Sequence, residues 1–316
     1  MASDFFSHEL YVTLLPIEGG LFMCVSTFCS YAIIRKTPPS IRAHKYYFLY
    51  LNTSYQVLFF FLTLFGPIEL DILQSGAISV EFSGAVQYLG SAWGYVELFF
   101  CCLSVVCVVN AIFVSFLNRY CQVCHPKSFY SRSSWWQITI SMGLSAIVGP
   151  VAAAMFVLSI RLYSDVTATS TDSEIVFSSS ALFDVFLALG VCYIALVVLL
   201  SGGFILRVIW KLSQVAQVSK RTREMQKMLT ITMLMSAAIP LVFGAIPIFL
   251  GVYALTTSAA KSLIIFRIIF CTCTVLGILN SAATLLLVKP YRDFMWCCLK
   301  LKKPNKVVSI MVTKVY

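Results

Sequence analysis

The chain has 316 residues, of which 59% are hydrophobic and only 11% are charged, whereas about a quarter of the residues in a typical soluble domain are charged. Its formal net charge of +10 comes from basic residues scattered among short loops, which argues against a nucleic-acid-binding patch and for a basic membrane face. These values exclude an ordinary soluble domain and predict one helical bundle in lipid.

Seven long apolar runs dominate the sequence. A helix needs about 20 apolar residues to cross the hydrocarbon core of a bilayer, and each run is long enough. Numbered in chain order, predicted spans 1 to 7 cover residues 11–34, 46–68, 89–117, 135–160, 181–208, 228–255 and 262–288. The pattern predicts an all-α membrane protein with a transmembrane domain over 11–288.

The basic residues set the orientation of these spans. Short loops rich in Lys and Arg stay in the cytoplasm, and all but three of the 23 basic residues fall after spans 1, 3 and 5 or in the C-terminal tail; the exceptions are Arg161, Lys261 and Arg267. We therefore expect residues 1–10 to be extracellular and residues 289–316 to form a cytoplasmic tail.

None of the twelve cysteines falls in a predicted outer loop, so a disulfide cannot join the outer loop at 161–180 to span 3. That loop must be held in another way or remain mobile.

Cys121, Cys124 and His125 match the C-x-x-C-H pattern of haem attachment, but they lie on the predicted cytoplasmic side against a span end. Because the chain also offers no second pair of zinc ligands, we expect no cofactor and no metal.

Ionisable residues inside spans are costly and mark functional sites or structural pairs. Glu97 and Arg267 have two interpretations: an ion pair between spans 3 and 7 that only fixes the bundle, or part of a pocket for a small ligand. The other candidate pocket residues are Trp93, Tyr95 and Tyr253. The four ionisable residues within spans, all in the predicted outer half, are Glu18, Glu97, Asp184 and Arg267.

The inner end of span 3 reads Asn118-Arg119-Tyr120. This triplet resembles the acidic-Arg-Tyr motif of G-protein-coupled receptors, with Asn in place of the acid. The resemblance implies a cation at the inner mouth of the bundle that either holds it closed or meets the G protein. The alternative is an Arg that snorkels to the interface and anchors the helix end.

Span 7 carries a second match. Asn280, Ser281 and Thr284 stand where rhodopsin-class receptors read Asn-Pro-x-x-Tyr, and Tyr291-Arg292 follow at the spacing that opens an eighth helix. The resemblance implies a short amphipathic helix at about 290–301, whereas Ser281 and Thr284 make a tyrosine switch in span 7 doubtful. Two juxtamembrane cysteines in the same stretch suit S-palmitoylation: Cys297 and Cys298.

Four segments of the chain, taken in order, match segments of one receptor group. They are Lys36–Pro39, Lys45–Thr53, Ser115–Tyr120 and Lys289–Arg292. Together they resemble the nematode serpentine chemoreceptors of the Str, Srd and Srh types, with the Srd type favoured. The resemblance implies a chemosensory G-protein-coupled receptor in the plasma membrane, including that of a sensory cilium, which binds a small environmental or odorant molecule. The residues expected to serve G-protein coupling are Asn118, Arg119, Tyr120, Lys220, Arg221, Arg223, Tyr291 and Arg292.

Other membrane functions were compared with this one. A retinal protein would need a Lys in the middle of span 7, and none lies between Lys261 and Lys289. An intramembrane hydrolase would need a paired Asp or a Ser-His arrangement, but no His lies within a span. A transporter or channel for a small solute is the alternative, although the chain has no matching halves with broken helices. The sequence predicts a receptor and not an enzyme.

Overall fold

The structure is a computed structural model that describes residues 8–37, 42–72, 78–125, 134–161, 174–177, 181–214 and 259–299, together with 228, 230–232, 234–235, 238–239 and 242. Four residues predicted to bind ligand or G protein lie outside the described residues: Lys220, Arg221, Arg223 and Tyr253. The element order is α1 (His8–Lys36), α2 (Arg42–Phe59) with a π-helical turn (Phe60–Phe65), β1 (Ile68–Ile72), β2 (Ile78–Phe82), α3 (Ala85–Leu89), α4 (Ser91–Cys124), α5 (Ser134–Arg161), β3 (Glu174–Phe177), α6 (Ala181–Gln214), α7 (Ala259–Leu287) and α8 (Lys289–Cys298).

Within the described part of the chain, six helices are long and apolar enough to cross a membrane. They are α1, α2 with its π-helical turn, α4, α5, α6 and α7. Most of predicted span 6 lies outside the described residues, and its described residues between 228 and 242 are helical. The mostly helical character predicted from the apolar runs is confirmed.

One end of the bundle carries a three-stranded antiparallel sheet in the order β1-β2-β3; we call this the sheet end. The strands alternate apolar and polar residues, as half-buried strands do, and Ile68, Val80 and Ile175 are buried. The prediction of an all-α protein is therefore wrong for these connections. The alternation in Ile-Glu-Leu-Asp-Ile and Ile-Ser-Val-Glu-Phe was readable, but each strand is too short to stand out beside runs of 20 apolar residues.

The sheet joins two connections that are distant in sequence. Strand β2 follows α2, and β3 follows α5, yet Ser79 lies opposite Val176 and Glu81 lies opposite Glu174. The Ser79 hydroxyl also donates to Glu174 Oε1 at 2.6 Å. All twelve cysteines are free thiols, and main-chain pairing of residues 174–177 with residues 78–81 links the connection after α5 to the connection after α2.

Small residues let the helices pack closely, as in other membrane bundles. Phe22 of α1 and Phe59 of α2 meet edge to face with ring centroids 4.9 Å apart, directly over Gly277 of α7. A Cβ at Gly277 would lie 2.4 Å from the Phe59 ring. Gly277 is thus the position where three helices converge.

A buried polar residue ties the same helices together. Asn52 of α2 accepts hydrogen bonds from Ser26 at 3.0 Å and Ser281 at 3.1 Å, and its amide donates to Ser26 O at 2.8 Å and to Ser30 at 2.7 Å. Every hydrogen-bonding position of this amide is therefore satisfied. Asn52 is thus buried and links α1, α2 and α7.

The opposite end of the bundle, which we call the α8 end, carries the short helix α8. Tyr291 is fully buried, and because Thr37 donates to Ile33 O at 2.5 Å, the Tyr291 hydroxyl donates to Thr37 at 2.7 Å. Burial raises the pKa of Tyr291 to about 12, so it stays a donor at neutral pH. Phe294 stacks on Phe28 of α1 with centroids 5.8 Å apart. These contacts fix α8 against α1.

Candidate functional site

A buried ion pair joins α7 to the sheet. Arg267 Nε donates to Glu69 Oε1 at 2.5 Å, and Arg267 Nη2 contacts the same oxygen. Both residues are 6% exposed, and His8 Nδ1 lies 2.8 Å from the other carboxylate oxygen of Glu69. Sequence reasoning missed Glu69 because it was placed in an irregular outer loop, whereas β1 holds it in a fixed register against α7.

Tyr11 of α1 completes this cluster. Its hydroxyl donates to the main-chain oxygen of Ile68 at 2.6 Å, and its ring lies 5.8 Å from the Arg267 guanidinium carbon, within cation–π range. The ion pair, the ring contact and the hydrogen bond together connect α1, β1 and α7.

The structure does not bring Glu97 and Arg267 together as an ion pair, so that interpretation is wrong. Arg267 is engaged by Glu69, because the strand brings a nearer carboxylate to it than α4 does. Glu97 is fully buried, and within the described part of the chain neither of its carboxyl oxygens has a hydrogen-bond partner. Among the described residues, Glu97 is therefore a buried acid with no hydrogen-bond donor.

The Glu97 carboxyl group lies against the chain that links α2 to β1. A Cβ added at Gly66 would stand 2.5 Å from Glu97 Oε2 and 2.8 Å from a methyl group of Val86. Such distances are far inside van der Waals contact, so only glycine fits at position 66 without a shift. The acidic group and the link to the sheet are thus in direct contact.

Aromatic side chains occupy the face of α4 that carries Glu97. Trp93, Glu97 and Phe100 are spaced i, i+4 and i+7, which places them on one helix face. Trp93 is tilted against Phe65 with centroids 6.2 Å apart, and Phe100 stacks on Phe61 at 4.7 Å. Both partners belong to the π-helical turn, and such turns are frequent at functional sites.

The other predicted residues of this end lie elsewhere. Tyr95 is half-buried and packs against the hydrophobic core, away from the face that Trp93 and Glu97 share. Glu18 accepts a hydrogen bond from Thr274 at 2.6 Å, which ties α1 to α7. Asp184 is exposed at the start of α6. Of the predicted pocket, the structure brings Trp93 and Glu97 to one face and leaves Arg267 in a separate pair.

At the α8 end, Arg119 is buried, and its Nη2 donates to Thr230 Oγ1 at 3.4 Å. Thr230 belongs to predicted span 6, so the contact bridges from α4 to that span. A cavity of about 10 Å³ lies beside it, which is room for roughly one water molecule. Its described lining is Phe116, Arg119, Phe204, Ile205, Val208 and Thr230.

Polar side chains near Arg119 at the end of α4 are linked by hydrogen bonds. Asn118 is fully buried, and its Oδ1 accepts from Gln122 Nε2 at 3.3 Å. Gln122 Oε1 in turn lies 3.0 Å from His44 Nε2. Tyr120 stacks on Phe204 of α6 with centroids 5.0 Å apart. The triplet is therefore packed into the bundle end and is not displayed on its surface.

The remaining residues of the predicted inner face lie on α8 or just before it. Tyr291 is buried against α1, and Arg292 Nη1 donates to Leu286 O at 3.4 Å, at the end of α7. Cys297 and Cys298 are exposed at the last turn of α8.

The comparisons place the chain in a family. The family described as serpentine type 7TM GPCR chemoreceptor Srh matches residues 6–301, nearly the whole sequence. No curated protein matches the chain. The Srd type that the motifs favoured is not supported, and the matching family is another of the three types that the motifs resemble. The chain therefore belongs to the Srh family of serpentine seven-transmembrane chemoreceptors, which makes it a non-enzymatic, multi-pass membrane receptor of the G-protein-coupled class.

Proposed function

We propose that this receptor binds a small environmental molecule at the sheet end and signals to a heterotrimeric G protein at the α8 end. The family match over residues 6–301 is the observation that carries the proposal. A solute transporter is disfavoured by the same match, and the geometry adds nothing in its favour.

The orientation proposed for the bundle puts residues 1–10 and the sheet end outside the cell and α8 with the tail 289–316 in the cytoplasm. The distribution of basic residues supports it. Lys36 and Lys289 lie at the α8 end, and Lys36 Nζ sits 5.0 Å from the Phe294 ring. In this orientation, α8 lies along the inner surface of the plasma membrane. We include the plasma membrane of a sensory cilium in this proposal.

Within the sheet end, the ligand site is centred on Glu97 and Trp93. We place Arg267 outside the centre of the proposed site, because Glu69 neutralises it in a buried pair. Trp93 is 44% exposed and lies one helical turn from the fully buried Glu97, so it stands between the surface and the acid. For Tyr95 and Tyr253, a role in ligand binding rests on the sequence prediction alone.

The α8 end has the geometry of a closed state. Because Arg119 is 6% exposed and bonded to Thr230, a partner helix cannot reach it until predicted span 6 moves away from α4. A ligand that binds the open arrangement better shifts the population toward it. Opening would expose Asn118, Arg119 and Tyr120 beside Arg292.

Two further features complete the proposed inner face. Lys220, Arg221 and Arg223 supply positive charge in the connection between α6 and predicted span 6, where the G protein would dock. Cys297 and Cys298 are exposed at the end of α8 and are proposed as palmitoylation sites. Acyl-exchange labelling that is undiminished in a Cys297→Ala/Cys298→Ala receptor would remove the lipidation proposal.

Ligand-dependent GTP exchange on membranes from cells that express the receptor tests the whole proposal. We expect candidate odorants to raise the exchange rate in wild type and to fail in an Arg119→Leu variant of equal surface expression, with Lys289→Gln as a matched basic control. Solute flux measured on the same membranes tests the alternative. Ligand-evoked flux without GTP exchange would favour a transporter.

A further inference from the structure

The charges of the sheet end are unequally compensated. The positive charge of Arg267 is matched by Glu69, and the Glu18 carboxyl group accepts a hydrogen bond from Thr274. Glu97 alone among these acidic groups has no donor or cation beside it in the described structure. Among these described groups, the one without a partner is therefore an acid and not a base.

The burial of Glu97 fixes its protonation state. An ionised carboxylate that has left water without gaining a hydrogen bond or counter-ion is far more costly than the neutral acid. Neither Glu97 oxygen reaches solvent, and Gly66, beside Glu97 Oε2, has no side chain to offer a hydrogen bond. With these described neighbours, Glu97 carries its proton in this conformation.

The aromatic residues on the Glu97 face of α4 indicate the chemistry of the rest of the ligand. Trp93 and Phe100 stand on the same face of α4, and each packs against an aromatic ring of the π-helical turn. Aromatic faces bind apolar bodies and attract organic cations. An acid within an aromatic row fits a molecule with an apolar body and one basic nitrogen.

We infer that the ligand of this receptor is a small organic amine that takes the proton of Glu97. The inference rests on the proposed function, since it names the ligand class of the same site. The amine arrives as the uncharged free base; the O–H bond of the Glu97 carboxyl breaks and an N–H bond forms. An alkylammonium–carboxylate pair results, and no proton is gained from or lost to solvent.

The contact with Gly66 gives this transfer a structural consequence. An ammonium group beside Glu97 needs space that the main chain at Gly66 now fills. Gly66 lies between the π-helical turn and β1, so the ligand must displace the start of the sheet strand that also holds Arg267 through Glu69. Binding at Glu97 is thereby coupled to α7.

Infrared difference spectroscopy on the full-length receptor in lipid nanodiscs tests the proton transfer. We expect the carbonyl stretch of a protonated carboxylic acid in wild type, and its loss in Glu97→Gln. Phenethylamine and hexylamine should remove the band and raise the melting temperature of wild type. Phenethyl alcohol and hexanol, the matched neutral probes, should do neither. Glu18→Gln, which replaces an acid already hydrogen-bonded, is the control variant and should respond like wild type.

Two results would overturn the inference. One is a ligand-free receptor whose spectrum shows no protonated carboxyl assignable to Glu97. The other is a receptor in which neither amine stabilises wild type more than its matched alcohol, or in which both stabilise Glu97→Gln equally. Loss of the carboxyl band without any GTP exchange would keep the amine site and reject the G-protein role. GTP exchange driven by neutral odorants in Glu97→Gln would do the reverse.

Discussion

Arg267 of α7 and Glu69 of β1 form a buried ion pair across 198 residues of sequence, and this pair fastens the sheet to the helical bundle. Because the side chains are almost fully removed from solvent, the pair is best tested by removing one partner at a time.

Replacing Arg267 by Gln, or Glu69 by Gln, should destabilise the purified receptor, since each change leaves one buried charge without its partner. Breaking such a pair typically costs about 3–5 kcal/mol. Thermal unfolding in detergent measures the loss. The double variant should lose less than the sum of the single variants, and Lys289→Gln, at an exposed position, should melt like wild type. Additive losses would show that the two residues do not interact.

Gly66→Ala should destabilise the receptor because the new Cβ would stand 2.5 Å from Glu97 Oε2. Overpacking of this kind costs about 1–3 kcal/mol, again measured as a lower melting temperature. Gly20→Ala is the matched control, since nothing lies within 4 Å of a Cβ at that position. Adding Glu97→Ala should restore part of the loss; a Gly66→Ala receptor as stable as Gly20→Ala would disprove the contact.

Thr230→Val should raise basal GTP exchange. The substitution keeps the shape of the side chain but removes the acceptor that Arg119 uses to bridge α4 and predicted span 6. A hydrogen bond to a charged group is worth about 1.5–3 kcal/mol, and at 3.4 Å we expect the lower value, so the open population should rise by roughly tenfold. Thr232→Val is the control, since the Thr232 hydroxyl donates within its own helix, to Met228 O. Equal basal activity in both variants would exclude a closing role for Arg119.

The link between the two connections at the sheet end should be insensitive to reducing agents, because it consists of main-chain pairing between residues 78–81 and 174–177. Ile175→Pro and Val176→Pro are tested side by side, because alternate residues of an antiparallel pair are hydrogen-bonded and one of the two must donate to β2. That variant should free the loop, seen as faster proteolysis within 161–180. Val176→Thr, which keeps a β-branched side chain, should not. A melting temperature that falls on addition of dithiothreitol would show that a disulfide carries the link instead.

The helices could be predicted from the sequence because run length alone decides whether a segment spans a membrane. The partner of Arg267 could not be predicted in this way. Glu69 is far from Arg267 in sequence, and only the register of β1 brings its carboxylate to α7. The contact between Glu97 and Gly66 likewise depends on the π-helical turn, which leaves no mark in the pattern of apolar residues.

Pairing between β2 and β3 joins the two connections through peptide groups. It therefore requires of the side chains only that apolar and polar residues alternate. A disulfide bond in the same place would require one cysteine in each connection and an oxidising compartment for assembly. Hydrogen-bonded strands can separate and pair again without any covalent change. Residues at their outward positions can also be substituted without breaking the pairing. Substitutions at the outward positions of this sheet can therefore change the surface of the sheet end while the link between the two connections is kept.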